Sequence, residues 1–382
     1  MLPKGFLSAG IVAGLKKSGK RDLGLIHSES PCQCAGVFTQ NSVKAHCVID
    51  NQAVLAKGKP IQAVLVNSGN ANACNGEAGM QAIHDLKKSL SELLNITTSQ
   101  ILTASTGVIG VDLPTDLIFG KLPALKGNLS PEHDHFAEAI LTTDLVIKVS
   151  EVESAGSKLI GIAKGSGMIH PDMATMLAFI VTDADLSEIN LSESLSQATR
   201  NTFNQISVDG DTSTNDMVLL LANGASGIKP AKAEFQDKLE QVCTDLAKAI
   251  VRDGEGATKL IEVSVGEASD EDQARKVALG IASSNLVKSA IFGGDPNWGR
   301  ILAAAGQHGS IDLNKIKLKL EGVLCWSDGA LQSYDRGSLS DRMKQGSEVR
   351  IDLSLGVGEA SAKAWGCDLT YDYVKINAEY FT

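Results

Sequence analysis

The run MLAFIV at positions 176–181 constrains the fold more than any other stretch, because six consecutive apolar residues follow directly on a segment rich in glycine and proline. No clean apolar run in the chain is longer, and crossing a bilayer takes roughly 18 or more such residues. The run therefore reads as a buried β-strand entered through a turn. The segment leading into it, KGSGMIHPDMATML, ends its polar character at Thr175, which sits at the mouth of that strand.

Other apolar runs of strand length occur at 61–66, 101–104 and 158–163, separated by patterns of helical spacing. Ala82, Leu86, Leu90 and Leu93 lie on one stripe, and residues 191–206 and 235–251 repeat at three and four. Toward the C-terminus the period changes to two. Ile316, Leu318 and Leu320 alternate with Lys315, Lys317 and Lys319, and Val349, Ile351, Leu353 and Leu355 follow the same rule. These predict antiparallel strands with one wet face. The expected class is α/β, as an α+β layered body with helices packed on largely antiparallel sheets.

With 382 residues, 43% of them hydrophobic, the chain can bury a large core, as two domains or one large body. A formal charge of −10 argues against a nucleic-acid or anionic-membrane surface, but leaves small zwitterionic metabolites open. GFLSAGIVAGL imitates a signal sequence only faintly. Its basic cluster follows it and no A-x-A site appears, so the expected location is cytoplasmic. The seven cysteines are an odd number, mostly isolated in apolar segments, as buried free thiols are. Cys32 and Cys34 are spaced too tightly for a C-x-x-C site, and the histidines are scattered, so no metal is expected.

Six loops hold more polarity than a turn needs: NSGNANACNG (67–76), STGVIG (105–110), the 164–175 segment, VDGDTSTND (208–216), DGEGATK (253–259) and GGDPNWGR (293–300). Gly, Asn, Asp and Ser populate turns for conformational reasons, so each loop taken alone reads first as a bland connection. No loop has the spacing of a phosphate-binding motif, and there is neither a G-x-S-x-G elbow nor an H-E-x-x-H. His170 is the only histidine near these loops, so a Ser-His-Asp triad has little material. A threonine that uses its own α-amino group as base needs no histidine, and that amine titrates at about 7.7–8. For Thr175 the amine is released only if the Ala174–Thr175 bond is cut, by hydroxyl attack on the Ala174 carbonyl, an N-to-O acyl shift and hydrolysis. Ala174 is small and the turn before it is rich in glycine, which suits such a site.

The blocks GFLSAGIVAGLKKSGKRDLGLI, VNSGNANACNGEAG, LTASTGVIG, TTD, KGSGMIHPDMATML, VDGDTSTNDMVLLLANG, VRDGEGATKLIEV, VKSAIFGGDPNWGRI and YDYVKINAEYFT run in this order through almost the whole chain. Together they resemble the ornithine acetyltransferases, also called glutamate N-acetyltransferases, of arginine biosynthesis. The resemblance implies self-cleavage between Ala174 and Thr175 into an α chain, 1–174, and a β chain, 175–382. These stay together as an α2β2 assembly whose fold follows N-terminal-nucleophile logic with the family's own topology. It implies that Thr175 takes the acetyl group from N2-acetyl-L-ornithine and passes it to glutamate in a ping-pong exchange. Thr106 and Gly107 match the oxyanion-hole pair, a hydroxyl and a backbone N–H. Thr142, Lys164, Thr175, Glu255, Asn377 and the terminal Thr382 match the substrate-binding positions, with Thr143 an ambiguous neighbour of Thr142. Lys164 suits an α-carboxylate and Glu255 an ammonium, and the tail 377–382 is expected to close over the pocket.

No cofactor is implied, although some family members also accept acetyl-CoA as donor, and the sequence leaves that open. Two residues depart from the family pattern: Asp172 stands where Asn is common, and Phe381 where a polar residue is common. The rival readings are an aminopeptidase or amidase with the same threonine nucleophile, and a non-catalytic metabolite-binding protein that stays one chain.

Overall fold

The computed structural model describes residues 1–154, 156–170 and 176–379. In chain order the strands are β1 (Phe6–Ile11), β2 (Leu23–Phe38), β3 (Ile61–Asn70), β4 (Ile101–Val108), β5 (Lys148–Ser154), β6 (Ser157–Lys164) and β7 (Leu177–Thr182). They continue with the short β8 (Ile206–Ser207), then β9 (Met217–Ala222), β10 (Leu260–Ala268), β11 (Lys317–Leu320), β12 (Val323–Ser327), β13 (Ala330–Leu331), β14 (Glu348–Ser354) and β15 (Ala360–Cys367).

The first sheet runs β4-β3-β2-β9-β7-β6-β5, with β1 paired to β2. Its middle strands, β7 and β9, are parallel and buried at every residue, which is why MLAFIV carries no polar alternation. Leu177, Phe179 and Val181 point into one cluster, Ala178 and Ile180 into another. The long strand β2 pairs with β3 up to Cys32 and with β9 from Gln33 onward, and its register slips between His27 and Cys32. There the sheet folds back on itself. Ile26, Val64 and Leu102 from one limb share a core with Ile160, Phe179 and Leu219 from the other. The helices Leu191–Asn201 and Lys232–Arg252 cover the outside of the β5–β6–β7–β9 limb, and the helix Gly76–Leu94 covers the outside of the other. The result is helix, sheet, sheet, helix: the layered α/β body expected from the periodicity.

The second sheet runs β13-β12-β11-β14-β10-β15-β8. Its inner face packs on the helices Glu271–Ser283 and Trp298–His308, and the outer face of β11 and β14 is wet, as their period of two predicts. Strand β14 is antiparallel to β11 but parallel to β10, a mixed pairing that alternation alone does not specify. Leu260, Trp365 and Cys367 join the core beneath the helix Lys232–Arg252 and tie the two sheets together.

Three local expectations are corrected. The helix expected over 191–206 ends at Asn201, where Thr202 takes φ −128 and ψ −81 and its hydroxyl bonds back to the Ala198 carbonyl at 2.7 Å. The loop STGVIG is largely strand, because β4 continues to Val108 beside β3. GGDPNWGR is half loop and half helix, since Asn297 caps the helix Trp298–His308 through Arg300 N–H.

Candidate active site

Strands β6 and β7 are antiparallel with Lys164 opposite Leu177, so the chain leaves the sheet at Lys164 and returns beside it. Met176 N–H donates to Asp216 Oδ1 at 2.9 Å, and the Met176 carbonyl accepts from Met217 N–H at 3.1 Å. The backbone at 176 is thus fixed at the start of the central strands. The expectations placed on Ala174 and Thr175, on Asp172, and on Phe381 and Thr382 lie outside the described residues.

Around this point a cavity of about 290 Å³ is lined by Thr106, Gly107, Thr142, Lys164, Glu255 and Asn377, together with Thr143 and Ala71. Six sequence-derived positions from five separate segments therefore meet on one space. Its size suits a small metabolite. Buried Lys164 donates through Nζ to Thr142 Oγ1 at 2.9 Å and to Thr106 Oγ1 at 3.2 Å. An ammonium only donates, so the Thr106 oxygen must accept, and its own proton is left to donate elsewhere. Glu255 is held over Gly167, where an added Cβ would lie 2.5 Å from its Oε2. Asn377 donates to the same oxygen at 2.9 Å, and Glu255 N–H bonds to the Ser166 carbonyl at 2.8 Å.

The backbone at Gly107 has φ +136, and an added Cβ would lie 2.3 Å from the Gly69 carbonyl carbon and 2.5 Å from Asn70 N. Only glycine fits both requirements. Thr106 and Gly107 are thereby pinned to the end of β3. The asparagines of NSGNANACNG are the fasteners around them. Asn67 accepts from Ser105 Oγ at 2.7 Å, and Asn70 donates to the Val111 and Asp112 carbonyls at 3.1 Å. From VDGDTSTND, Asn215 donates to the Ala71 and Ser105 carbonyls at 2.7 and 2.8 Å. Each amide settles backbone groups that this crowded strand end leaves unpaired.

A buried charge network lies beneath the pocket. Asp144 accepts from Lys148 Nζ at 2.7 Å, Gly165 N–H at 2.6 Å and Thr142 N–H at 3.0 Å, while Lys148 also reaches Asp253 at 2.6 Å. Burial opposes the Asp144 charge, but the Lys164 and Lys148 ammoniums outweigh it and hold its carboxyl below the usual range. Burial pushes Lys164 below the ordinary lysine value, opposed chiefly by Asp144. Burial likewise raises Asp216 well above the usual carboxylate range. Nearby Lys16 is lowered to about 8, first by burial, with Lys164 adding to the effect.

Sequence reasoning missed Asp144 beyond its place in TTD, and Asn215 and Asp216 beyond their place in VDGDTSTND, and it missed Lys148 altogether. Their signal is tertiary: each is an ordinary polar residue until the fold buries it. GGDPNWGR, by contrast, belongs to the second sheet's core, where Trp298 stacks on Trp326 at 5.2 Å and Asp295 pairs with Arg336 at 2.8 Å. It does not line the pocket.

The folded-back sheet with helices outside it, and the small polar pocket where its central strands begin, define an enzyme of the layered α/β class with N-terminal-nucleophile-like architecture. A model of the ArgJ family matches residues 7–382, and the chain belongs to that family. It is 48% identical to the arginine biosynthesis bifunctional protein ArgJ of Gloeobacter violaceus, over 99% of this chain and 97% of that one. It is 47% identical to the protein of the same name from Thermus thermophilus, over 100% and 99%. Among solved structures, the arginine biosynthesis bifunctional protein argJ of Bacillus halodurans aligns with a TM-score of 0.51 at 44% identity, covering 53% of this chain and 98% of that one.

Proposed function

We propose that the chain transfers acetyl from N2-acetyl-L-ornithine to L-glutamate, giving ornithine and N-acetylglutamate in arginine biosynthesis, with Thr175 as the carrier. The observation that supports this most is the pocket itself: a buried ammonium, two hydroxyls and a glycine N–H on one side, a carboxylate and an amide on the other, beside the backbone that follows Thr175. Lys164 holds the α-carboxylate of acetyl-ornithine, and Glu255 with Asn377 holds its side-chain ammonium. Thr142 supports Lys164. Thr382 closes the pocket as the resemblance implies.

Self-cleavage after Ala174 frees the Thr175 amine. In the first half-reaction that amine takes the hydroxyl proton as Thr175 Oγ attacks the acetyl carbon. The tetrahedral oxyanion is met by the free Thr106 proton and the Gly107 N–H. The C–N bond breaks, the proton passes to the departing ornithine nitrogen, and an acetyl ester remains on Thr175. Glutamate then attacks the ester through its amine and restores the hydroxyl. Acetyl-CoA, where accepted, loads the same threonine. The enzyme works in the cytoplasm as an α2β2 assembly of its two fragments.

The test is a denatured mass spectrum of the purified protein beside Thr175→Ala, with an acetyl-ornithine assay run with and without glutamate. Fragments of 174 and 208 residues in the parent alone, with glutamate-dependent turnover, are expected. Acetyl-ornithine consumption without glutamate would establish the amidase reading instead. A parent of full length with ligand affinity equal to that of Thr175→Ala would establish a binding protein.

A further inference from the structure

Met168 lines the pocket with 40% of its surface exposed, yet its backbone takes φ +56. Residues other than glycine rarely adopt that left-handed region. Glycine stands at 165 and 167, but at 168 a long side chain is kept. The turn is held from several sides. Asp209 takes the Met168 N–H on Oδ2 at 2.6 Å and the Ile169 N–H on Oδ1 at 2.8 Å. Val208 N–H donates to the Ile169 carbonyl at 2.8 Å, and the Val208 carbonyl accepts in turn from the buried Lys288 ammonium. On the opposite side, Glu255 N–H donates to the Ser166 carbonyl at 2.8 Å. A strained backbone persists only where its surroundings over-determine it, and such strain gathers at functional positions.

We propose that Met168 sets the chain length of the substrate. Its side chain is the apolar wall for the methylene arm between α-carboxylate and side-chain ammonium, and Asp209 is the positioning residue that holds it there. The proposal rests on the reading that Lys164 and Glu255 grip the two ends of acetyl-ornithine. Two observations support it. Gly167 lies so close to Glu255 that an added Cβ would sit 2.5 Å from Oε2, which puts Met168 one residue from the ammonium end. The pocket is otherwise largely polar: among the described residues its apolar side chains are Ala71, Ile109 and Met168. Ala71 is short, and Ile109 follows Gly107 by two residues, at the end proposed for the acetyl group. Met168 is the long apolar side chain next in sequence to the glycine beneath Glu255, and a flexible thioether adapts well to an alkyl arm.

The experiment measures kcat and KM with glutamate as acceptor for three donors. These are N2-acetyl-ornithine, N2-acetyl-lysine with one methylene more, and N2-acetyl-2,4-diaminobutyrate with one fewer. A methylene read by an apolar wall is worth about 10–200-fold in kcat/KM, and the parent should prefer acetyl-ornithine by such a factor. Met168→Gly suits the backbone, so it should melt at or above the parent. It removes the wall, so KM for acetyl-ornithine should rise about tenfold with kcat within about threefold, and the preference over both analogues should shrink below about threefold. Met168→Leu keeps an apolar side chain and should stay within about threefold of the parent. Asp209→Ala, or Asp209→Asn where alanine fails to fold, should lose selectivity in the same direction, by about threefold or more. Parent-like selectivity in Met168→Gly would overturn this proposal alone, as would a loss confined to kcat or a leucine variant as unselective as glycine. A parent indifferent to chain length would overturn it too, and fully selective Asp209 variants would overturn the positioning role. A parent that does not turn over acetyl-ornithine would overturn the proposed function and this proposal with it.

Discussion

At the scale of single residues, Lys164 concentrates the electrostatics of the pocket. Its ammonium is buried, donates to two hydroxyls and stands close to Asp144, which is itself shared with Lys148. Because burial moves Lys164 below its ordinary value of 10.5, it loses its charge at a lower pH than a surface lysine does. A group that binds a carboxylate only when charged then predicts the sign. KM for acetyl-ornithine should stay flat where Lys164 is protonated and rise as pH climbs through its lowered pKa. Lys164→Met removes a charged hydrogen bond worth about 1.5–3 kcal/mol, so KM near neutrality should rise about 10–100-fold and its alkaline climb should vanish. Lys148 still partners Asp144 in that variant, which protects the fold. Measuring KM for both proteins from about pH 6 to pH 10 checks this, and an unchanged KM in the variant would remove Lys164 from the carboxylate site.

At the scale of elements, the proposed oxyanion pair, Thr106 and Gly107, depends on how β3 and β4 end. Gly107→Ala must accept both a left-handed φ and a Cβ within 2.3 Å of backbone, and the clashing backbone is the end of β3, to which β4 is hydrogen-bonded. Gly110, with φ +82, has open space around its Cβ position and pays only the conformational cost. Gly110→Ala should therefore lose about 1–2 kcal/mol, and Gly107→Ala about 3 kcal/mol or more together with acetyl transfer. Urea melts of both variants decide it, and equal losses would mean that the strand ends part easily. The same elements show what the sequence conveys. MLAFIV, the stripe Ala82–Leu86–Leu90–Leu93 and the Lys-Leu alternation of β11 are legible because burial imposes a period on neighbouring residues. The extension of β4 through STGV was illegible. Ser105 and Thr106 are polar residues whose strand conformation is set by β3, paired across roughly forty residues of chain. The pocket's Lys164, Thr142 and Glu255 were reached through resemblance, since a lysine or glutamate beside glycines carries no local mark of burial. Asp216 was reached only as one residue of VDGDTSTND, with no role of its own, because what singles it out is the register of β7 on β9.

At the scale of the whole molecule, the joint between the two sheets depends on Glu262. It sits on β10 and accepts from Trp365 Nε1 at 2.9 Å, from Lys363 Nζ at 3.0 Å on β15, and from Lys248 Nζ at 2.7 Å on the helix that roofs the first sheet. Lys248 also lies 5.5 Å from the Trp365 ring centroid, so one carboxylate organises a cation–π contact and one ion pair across the joint, with a second ion pair inside the second sheet. Burial works against its charge, but Lys248, Trp365 and Lys363 prevail and lower its pKa from 4.5 to about 2. A carboxyl with a depressed folded pKa stabilises the protein fully above its unfolded value, and that contribution drains away as pH falls from about 4.5 toward 2. With Lys363 and Lys248 partly exposed, the contribution near neutrality is about 2–3 kcal/mol after allowance for solvent screening. Glu262→Gln keeps the size of the side chain and loses the charge, so at neutral pH it should melt about 2–5 °C below the parent. The gap should be roughly halved near pH 3 and nearly closed near pH 2, because the parent's own Glu262 is then protonated. Thermal melts of both proteins from about pH 7 to pH 2 test this, provided each is refolded at neutrality to confirm reversibility. A gap that stays constant with pH would mean that Glu262 contributes through packing and not through its charge, and that the joint holds by the apolar contacts of Leu260, Trp365 and Cys367 alone.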